Sequence, residues 1–144
     1  MNQTSRAKTS ARTLGHILLV EDDAVLALAM EAALTDAGAR EVEICRTTDA
    51  ALEALRRGSP DVLVLDIHLA DRDDGWAIAE LVDGIGPKPP RIVFSTGAPD
   101  SIPAQIAELG QVLVKPYAPA ELVRAIQAPR RRGLLARLRK PAAD

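Results

Sequence analysis

The sequence is poor in aromatic residues, cysteine and long apolar runs, and each shortage excludes a class of protein. Its 144 residues hold one tryptophan, one phenylalanine and one tyrosine, so any core must be aliphatic. The single cysteine, Cys45, cannot form an internal disulfide, and no paired-cysteine zinc or redox spacing is present. No apolar run approaches the roughly 18 residues that a membrane span needs, so we expect a soluble protein. The first residues lack the apolar core of a signal peptide, which favours the cytoplasm.

Length and charge indicate one acidic domain between two basic ends. The length suits a single domain, since domains typically hold roughly 100–200 residues. The net charge of −2 hides an asymmetry, because residues 16–127 carry nine basic and nineteen acidic side chains. An acidic middle argues against nucleic-acid binding and fits a domain that gathers carboxylates around a cation. We predict a disordered basic arm over 1–14, a folded domain over 15–127 and a basic tail over 128–144.

Short apolar runs alternate with helical segments along the middle of the chain. Strands are predicted at 16–20, 41–45, 61–65, 91–96 and 111–114. Helices are predicted at 24–37, 48–57, from 76 to the breaker cluster at 86–90, at roughly 100–109, and at 119–127. This alternation is typical of a parallel sheet with right-handed crossovers, and the chain is too short for a closed eight-stranded barrel. The remaining possibility is a doubly wound α/β fold.

Apolar residues at helical spacing support two of the predicted helices. In the first helix they are Val25, Leu28, Ala29, Ala32 and Ala33. In the third helix they are Trp76, Ala79, Leu81 and Val82.

Charged and hydroxyl side chains follow four of the predicted strands at their carboxyl ends. They are Glu21 and Asp22 after the first strand, Asp66 after the third, Ser95 and Thr96 at the fourth, and Lys115 after the fifth. In open parallel sheets, ligands bind at this edge. Clustered carboxylates repel one another, so a hard divalent cation such as Mg²⁺ is expected among them. With a lysine and a hydroxyl to hold an oxyanion, this edge becomes a candidate phosphoryl-transfer site with a carboxylate nucleophile.

Four motifs at these strand ends resemble the response-regulator receiver domain, the phosphorylated module of two-component signalling. They are LLVEDD (18–23), LVLDIHL (63–69), FSTG (94–97) and VKPY (114–117), in family order. The resemblance covers about 15–127. It implies a flavodoxin-like fold, with five parallel strands in the order 2-1-3-4-5 and helices on both faces. It also implies a stand-alone regulator that accepts a phosphoryl group from a histidine kinase or phosphotransfer protein.

The resemblance further implies roles for the acidic residues and for the residue two positions after the phosphoacceptor. Asp66 would be the phosphoacceptor and form an acyl phosphate. Asp22 would bind Mg²⁺ directly and Glu21 through water, while His68 would contribute only its backbone carbonyl, with its side chain exposed. Asp66 would also bind the metal.

Three residues on the last two strand ends have implied roles around the phosphoryl group. Thr96 would hydrogen-bond to it and shift on phosphorylation, and Lys115 would pair with one of its oxygens. Pro116 would follow the lysine through a cis bond. The protein would then be a phosphoacceptor with at most slow self-catalysed phosphorylation and dephosphorylation, and not a true enzyme.

Departures from the family pattern bear on the switch and on the partners. Val112 stands where an aromatic switch residue is usual, so the familiar threonine–aromatic coupling cannot operate unchanged. The FSTG motif resembles the single-domain subfamily with a Phe-Ala-Thr-Gly motif, which implies HWE-type histidine kinases and a role in the general stress response. The output would be a protein contact through the α4-β5-α5 face or the draining of phosphate from a shared kinase. The tail over 128–144 is too short for a DNA-binding domain, and contact of its Leu134–Lys140 turn with a membrane is not favoured.

Two other functions share parts of this pattern. Haloacid-dehalogenase-like phosphatases also use an aspartyl phosphate, but they need a second aspartate two residues after the nucleophile, where His68 stands. Their nucleophile also usually follows the first strand of the chain. The other alternative is a receiver-like domain that binds its partner without phosphorylation, against which the intact set of edge residues argues.

Overall fold

The computed structural model describes residues 13–68, 75–84 and 86–129. Its strands are β1 (Gly15–Val20), β2 (Ala39–Cys45), β3 (Val62–Asp66), β4 (Arg91–Thr96) and β5 (Gln111–Val114). Its α-helices are α1 (Ala24–Asp36), α2 (Thr48–Arg57), α3 (Trp76–Asp83), α4 (Ala104–Ala107) and α5 (Pro119–Gln127). A 3₁₀ turn over Pro99–Ser101 precedes α4.

The strands form one parallel sheet in the order β2-β1-β3-β4-β5, as predicted. The central strand β3 is fully buried, which explains its continuous apolar sequence. At its carboxyl end, Asp66 is paired in register with Ser95 of β4, and Ser95 is paired with Leu113 of β5. The strand ends singled out in the sequence therefore lie along one edge of the sheet.

Alternation along the strands divides the core into two layers. Leu18, Leu65 and Phe94 face one side, where they pack with buried residues of α2, α3 and α4. On the other side Val64 and Val93 belong to a second cluster, which includes buried residues of α1 and α5. The same alternation continues through the polar side chains at the strand ends, so it decides on which face of the sheet each of them lies.

Local sequence signals fix where α1 and α2 begin and end. The Asp23 side chain accepts a hydrogen bond from the Leu26 amide at 3.0 Å and so caps α1, as its position after β1 predicts. Gly38 follows α1 with a φ of +109°, in the left-handed region that glycine adopts readily. Thr47 caps α2 by accepting a hydrogen bond from the Ala50 amide at 3.0 Å.

The side of α1 that packs against the sheet differs from the side that carries most of the apolar residues at helical spacing. Val25 and Leu28 are 79% and 61% exposed, and the buried residues are Ala27, Met30 and Leu34. Apolar residues occur on every side of this helix, so spacing alone does not identify the buried side. In α3, Leu81 is exposed while Ala79 and Val82 are buried.

The helix predicted at roughly 100–109 is wrong in its extent. The segment contains the 3₁₀ turn and the single-turn helix α4, separated by Ile102 and Pro103. Proline lacks an amide hydrogen and its ring crowds the preceding turn, so a continuous helix cannot run through position 103. Pro103 instead lies immediately before α4 and accepts the hydrogen bonds of its first turn.

Most of the two predicted basic ends lies outside the described residues. Of the arm predicted over 1–14, Thr13 and Leu14 are described, and both donate hydrogen bonds to the Gly38 carbonyl. Of the tail predicted over 128–144, Ala128 is described, and its carbonyl accepts a hydrogen bond from Arg91. Within the part of the chain that the structure describes, no helix combines the length and apolar character that crossing a membrane requires.

Two leucines of α1 give a direct test of which side of the helix packs against the sheet. We expect Leu34→Ala to lower the free energy of unfolding by about 2–5 kcal/mol, because it leaves a cavity beneath the helix. Leu28→Ala is the matched control on the exposed side, and its effect should stay within about 0.5 kcal/mol. Urea unfolding of both variants measures the difference. A larger loss for Leu28→Ala than for Leu34→Ala would contradict this orientation.

Candidate functional site

The carboxyl edge of the sheet brings three acidic side chains together. Glu21 and Asp22 follow β1, and Asp66 ends the neighbouring strand β3. One carboxylate oxygen from each of the three lies within 4.8 Å of the other two. Residues 44 positions apart in sequence meet here because parallel neighbours end at the same edge.

Lys115 supplies the positive charge of the cluster. Its ammonium Nζ lies 3.1 Å from Glu21 Oε1 and 3.4 Å from Asp66 Oδ2, so it bridges the two carboxylates. Its own amide donates a 2.8 Å hydrogen bond to the Thr96 carbonyl, which ties the end of β5 to the end of β4. Burial alone would lower the pKa of Lys115, but Asp66 and Glu21 outweigh burial and raise it. Lys115 is therefore a cation throughout the physiological pH range.

Glu21 is a buried carboxylate that is only partly neutralised. It is 1% exposed, and its Oε2 accepts a 3.1 Å hydrogen bond from the Asp23 amide. Its Oε1 accepts no hydrogen bond within the described residues, although the Lys115 ammonium is near. Burial and then the charge of Asp66 raise the pKa of Glu21 above its ordinary value, against the opposing effects of the Asp23 amide and Lys115. A further cation beside Glu21 would favour its ionised form.

Asp66 presents one oxygen to the backbone and the other to the lysine. Its Oδ1 accepts a 3.1 Å hydrogen bond from the His68 amide, and its Oδ2 faces Lys115. Gly75, before α3, packs closely behind it, because an added Cβ would lie 2.8 Å from the Ile67 carbonyl oxygen and 3.0 Å from that of Asp66. A side chain at position 75 would displace the turn that follows Asp66.

Thr96 and His68 lie beside the acidic cluster without joining it through their side chains. The buried Thr96 hydroxyl accepts a 2.9 Å hydrogen bond from the Ala98 amide. The His68 side chain is exposed, as predicted, and its Nε2 lies 3.2 Å from the Ser101 hydroxyl. The Lys115–Pro116 bond is cis, as predicted. The roles of Thr96 and of the His68 carbonyl toward a phosphoryl group or metal stay predictions.

The donor set fits Mg²⁺. Three carboxylates within reach of one ion are the hard oxygen ligands that this cation prefers, and Asp22 is partly exposed, which leaves access for water ligands. The Glu21 Oε1 atom is buried and accepts no hydrogen bond from the part of the chain that the structure describes, so it is an available acceptor for such an ion or for one of its waters. Glu21, Asp22 and Asp66 are therefore the residues that would hold it.

The sequence missed two contacts near the site. The hydroxyls of Ser95 and Tyr117 lie 2.7 Å apart in a hydrogen bond, and Arg46 donates a 3.1 Å hydrogen bond to the Asp22 carbonyl. A serine in an otherwise apolar buried strand is a weak sign of such a partner, since buried hydroxyls are normally hydrogen-bonded. No sequence signal pointed to Arg46.

Val112 and Cys45 are both packed in the core layer that faces α2 to α4. Val112 is partly buried there, and it occupies the position at which the family usually has an aromatic switch residue. Cys45 is 4% exposed, and burial, followed by the charge of Glu43, raises the pKa of its thiol to about 11. It is a small core residue and not an activated thiol.

Mg²⁺ affinity tests the acidic cluster with a neighbouring control. We expect Asp22→Asn and Glu21→Gln each to weaken binding at least about tenfold, since even residues that only support a metal ligand contribute 10–100-fold. Asp23→Asn is the control, because its carboxylate caps α1 and asparagine caps equally well. Titration calorimetry with MgCl₂ measures the three affinities. Equal losses in all three variants would mean that the cluster does not hold the ion.

Comparison with known proteins agrees with this geometry. The sensory transduction protein LytT of Bacillus anthracis is 36% identical over 93 residues, a stretch that covers 61% of this chain and 37% of that protein. The chain thus spans little more than a third of that relative's length. Among solved structures, the chemotaxis response regulator CheY4 of Vibrio cholerae is 26% identical with a TM-score of 0.67, covering 80% of this chain and 98% of that one.

A second structural relative is larger than this chain. The anti-anti-sigma factor PhyR of Bartonella quintana has a TM-score of 0.64 at 22% identity, over 88% of this chain and 51% of that one, which supports the fold alone. The family model described as "Response regulator receiver domain" matches residues 17–127. With the sheet order and the acidic edge already established, this chain belongs to the response-regulator receiver domain family.

Proposed function

We propose that this receiver domain accepts a phosphoryl group on Asp66 from a histidine kinase or a phosphotransfer protein, with Mg²⁺ as cofactor. One observation carries the proposal: the buried Asp66 carboxylate lies in a three-carboxylate cluster and 3.4 Å from the Lys115 ammonium. A nucleophilic carboxylate, a cation site and a fixed ammonium are the parts that phosphoryl transfer requires.

In this proposal an Asp66 carboxylate oxygen attacks the phosphorus of a phosphohistidine. The new bond is an acyl phosphate P–O bond, and the bond that breaks is the donor's P–N bond, whose electron pair returns to the imidazole. The Lys115 ammonium balances charge on the transferring phosphoryl oxygens, and the Thr96 hydroxyl, at the end of the adjacent strand, is the candidate hydrogen-bond donor to them. When bound, Mg²⁺ supplies additional charge neutralisation for these oxygens.

In this proposal the domain acts only on its own Asp66 and turns over no separate substrate. The phosphoryl group remains on Asp66 until water removes it, so the domain is proposed as a phosphoacceptor that catalyses only its own slow phosphorylation and dephosphorylation. His68, two residues after Asp66, offers its backbone amide to the acceptor and directs its ring to Ser101. No carboxylic acid stands where a haloacid-dehalogenase-like phosphatase needs one.

We place the contact with the phosphodonor protein on α1. This helix begins two residues after Asp22 and presents Val25 and Leu28 to solvent. Large exposed apolar side chains beside a reaction site favour a protein partner over a small substrate. A donor docked there lies next to the acidic edge, as transfer to Asp66 requires.

The output is proposed to be a protein contact through α4, β5 and α5, or the draining of phosphate from a shared kinase. The contact is supported by Val114, an exposed apolar residue of β5 that lies beside the single-turn α4. Pairing with an HWE-type kinase and a role in the general stress response rest on the FSTG motif (94–97). A cytoplasmic location accords with this proposed chemistry.

Intact mass after incubation with acetyl phosphate tests the acceptor. We expect one Mg²⁺-dependent phosphoryl adduct on the wild-type chain and none on Asp66→Asn. Asp61→Asn is the control at the opposite end of β3, and it should be phosphorylated like the wild type. If acetyl phosphate gives no adduct, the test is repeated with phosphorylated histidine kinases. Absence of transfer there as well would favour a receiver that binds its partner without phosphorylation.

A charge introduced on α1 tests the docking surface separately from the chemistry. We expect Leu28→Glu to slow transfer from the phosphorylated kinase that serves the wild type best by at least about 30-fold, the effect of losing an interface hot spot of about 2 kcal/mol. Phosphorylation by acetyl phosphate should not change, because Leu28 is not part of the acidic edge. Leu81→Glu, an exposed leucine on α3, is the matched control. Equal slowing by both variants would contradict docking on α1.

A further inference from the structure

A buried hydroxyl pair lies beside the acidic edge and joins β4 to the turn after β5. The hydroxyls of Ser95 and Tyr117 are 2.7 Å apart, and Ser95 is 1% exposed. No other side-chain hydrogen bond of Ser95 occurs in the described part of the chain. Phenylalanine at position 117 would fill the same space, so the phenol oxygen is the group whose presence needs a reason.

The pair lies on the same face of the sheet as the phosphoacceptor. Ser95 and Asp66 are register partners in neighbouring parallel strands, so their side chains emerge on one face. Tyr117 packs in the core layer of that face, with Val64 and Val93. Burial raises the pKa of Tyr117, the hydrogen bond with Ser95 and the charge of Lys115 oppose this effect, and the charges of Glu21 and Asp66 add smaller increases.

The Lys115 side chain passes over β4, beside the Ser95–Tyr117 pair, to reach the carboxylates of Glu21 and Asp66. The lysine starts at the end of β5, and Asp66 lies on β3, with β4 between them. Neighbouring strands are about 4.8 Å apart, so β5 and β3 are roughly 10 Å apart. The side chains of Lys115 and Asp66 together bridge this distance over β4. The β4 residue level with Asp66 on that face is Ser95. Its small side chain leaves the lysine room, and its hydroxyl binds the residue two positions after the lysine.

We propose that the Ser95–Tyr117 hydrogen bond positions Lys115 for phosphoryl transfer. Together with the Lys115 amide bond to the Thr96 carbonyl, it fixes the turn from Lys115 to Tyr117 at two points on β4. The ammonium is then held between Glu21 and Asp66. Tyr117 and Ser95 are positioning residues in this scheme, because neither is placed on the phosphoryl group. The inference rests on the proposed phosphorylation of Asp66.

The position of Lys115 can be read without any phosphorylation. The chain has four lysines, so a protein labelled with ¹³C at the lysine Cε gives few signals, and Lys115→Arg identifies the one from Lys115. We expect Tyr117→Phe and Ser95→Ala to shift that signal and to leave the other three unchanged. Asp61→Ala is the control, because it removes a side-chain hydrogen bond at the far end of β3, about 16 Å from Asp66.

The rate of phosphorylation by acetyl phosphate gives the functional measurement. Tyr117→Phe and Ser95→Ala should each slow it by about 3- to 10-fold, the effect of one lost hydrogen bond. The double variant should be no slower than the slower single variant, since both changes break the same bond. In a Lys115→Ala background, Tyr117→Phe should cause no further slowing. Thermal unfolding of each variant confirms that the fold is intact.

The outcomes separate this inference from the proposed function. An unchanged Lys115 signal in Tyr117→Phe would overturn the positioning role, whether or not the protein is phosphorylated. A shifted signal with a wild-type rate would overturn it as well, and so would full slowing by Tyr117→Phe in the Lys115→Ala background. If the wild-type chain accepts no phosphoryl group from any donor, the proposed function fails, and positioning for phosphoryl transfer fails with it. A shifted Lys115 signal would then show only a structural link.

Discussion

The bridge from Lys115 to Glu21 and Asp66 is the interaction on which the rest of this site depends. Two buried carboxylates on neighbouring strands repel each other strongly where water cannot screen them. The lysine reduces that repulsion from the far side of β4, with its Nζ 3.1 Å from one carboxylate and 3.4 Å from the other. This contact depends on the strand order, which places β4 between the lysine and Asp66. It also depends on the small side chain of Ser95 on β4 and on the turn from Lys115 to Tyr117 after β5.

One ammonium cannot balance three carboxylates, and the remaining charge has thermodynamic consequences. The raised pKa of Glu21 means that the folded state holds the proton more tightly than the unfolded chain does. As pH rises through the ordinary glutamate range and above it, ionisation of Glu21 therefore favours unfolding. A divalent cation bound only by the folded state reverses this loss. Cation binding at the acidic edge would therefore stabilise the folded state.

The two surfaces of α1 face the core and the proposed phosphodonor contact. Ala27, Met30 and Leu34 join the core, whereas Val25 and Leu28 remain exposed next to the acidic edge. A helix that is apolar on nearly every side has more apolar surface than the core requires. The excess lies on the surface where we propose that the phosphodonor protein docks.

The sequence alone determined the sheet, its carboxyl edge and the residues on it, because buried parallel strands are continuous apolar runs that end in conspicuous polar groups. Glu21, Asp66 and Lys115 could be placed together from topology. Tertiary structure decided which side of α1 is buried, since its apolar residues surround the helix, and where α4 forms, since Pro103 interrupts the segment. It also decided the Ser95–Tyr117 contact. That bond depends on how a turn folds back across a neighbouring strand, and no periodicity in the chain encodes such a distance.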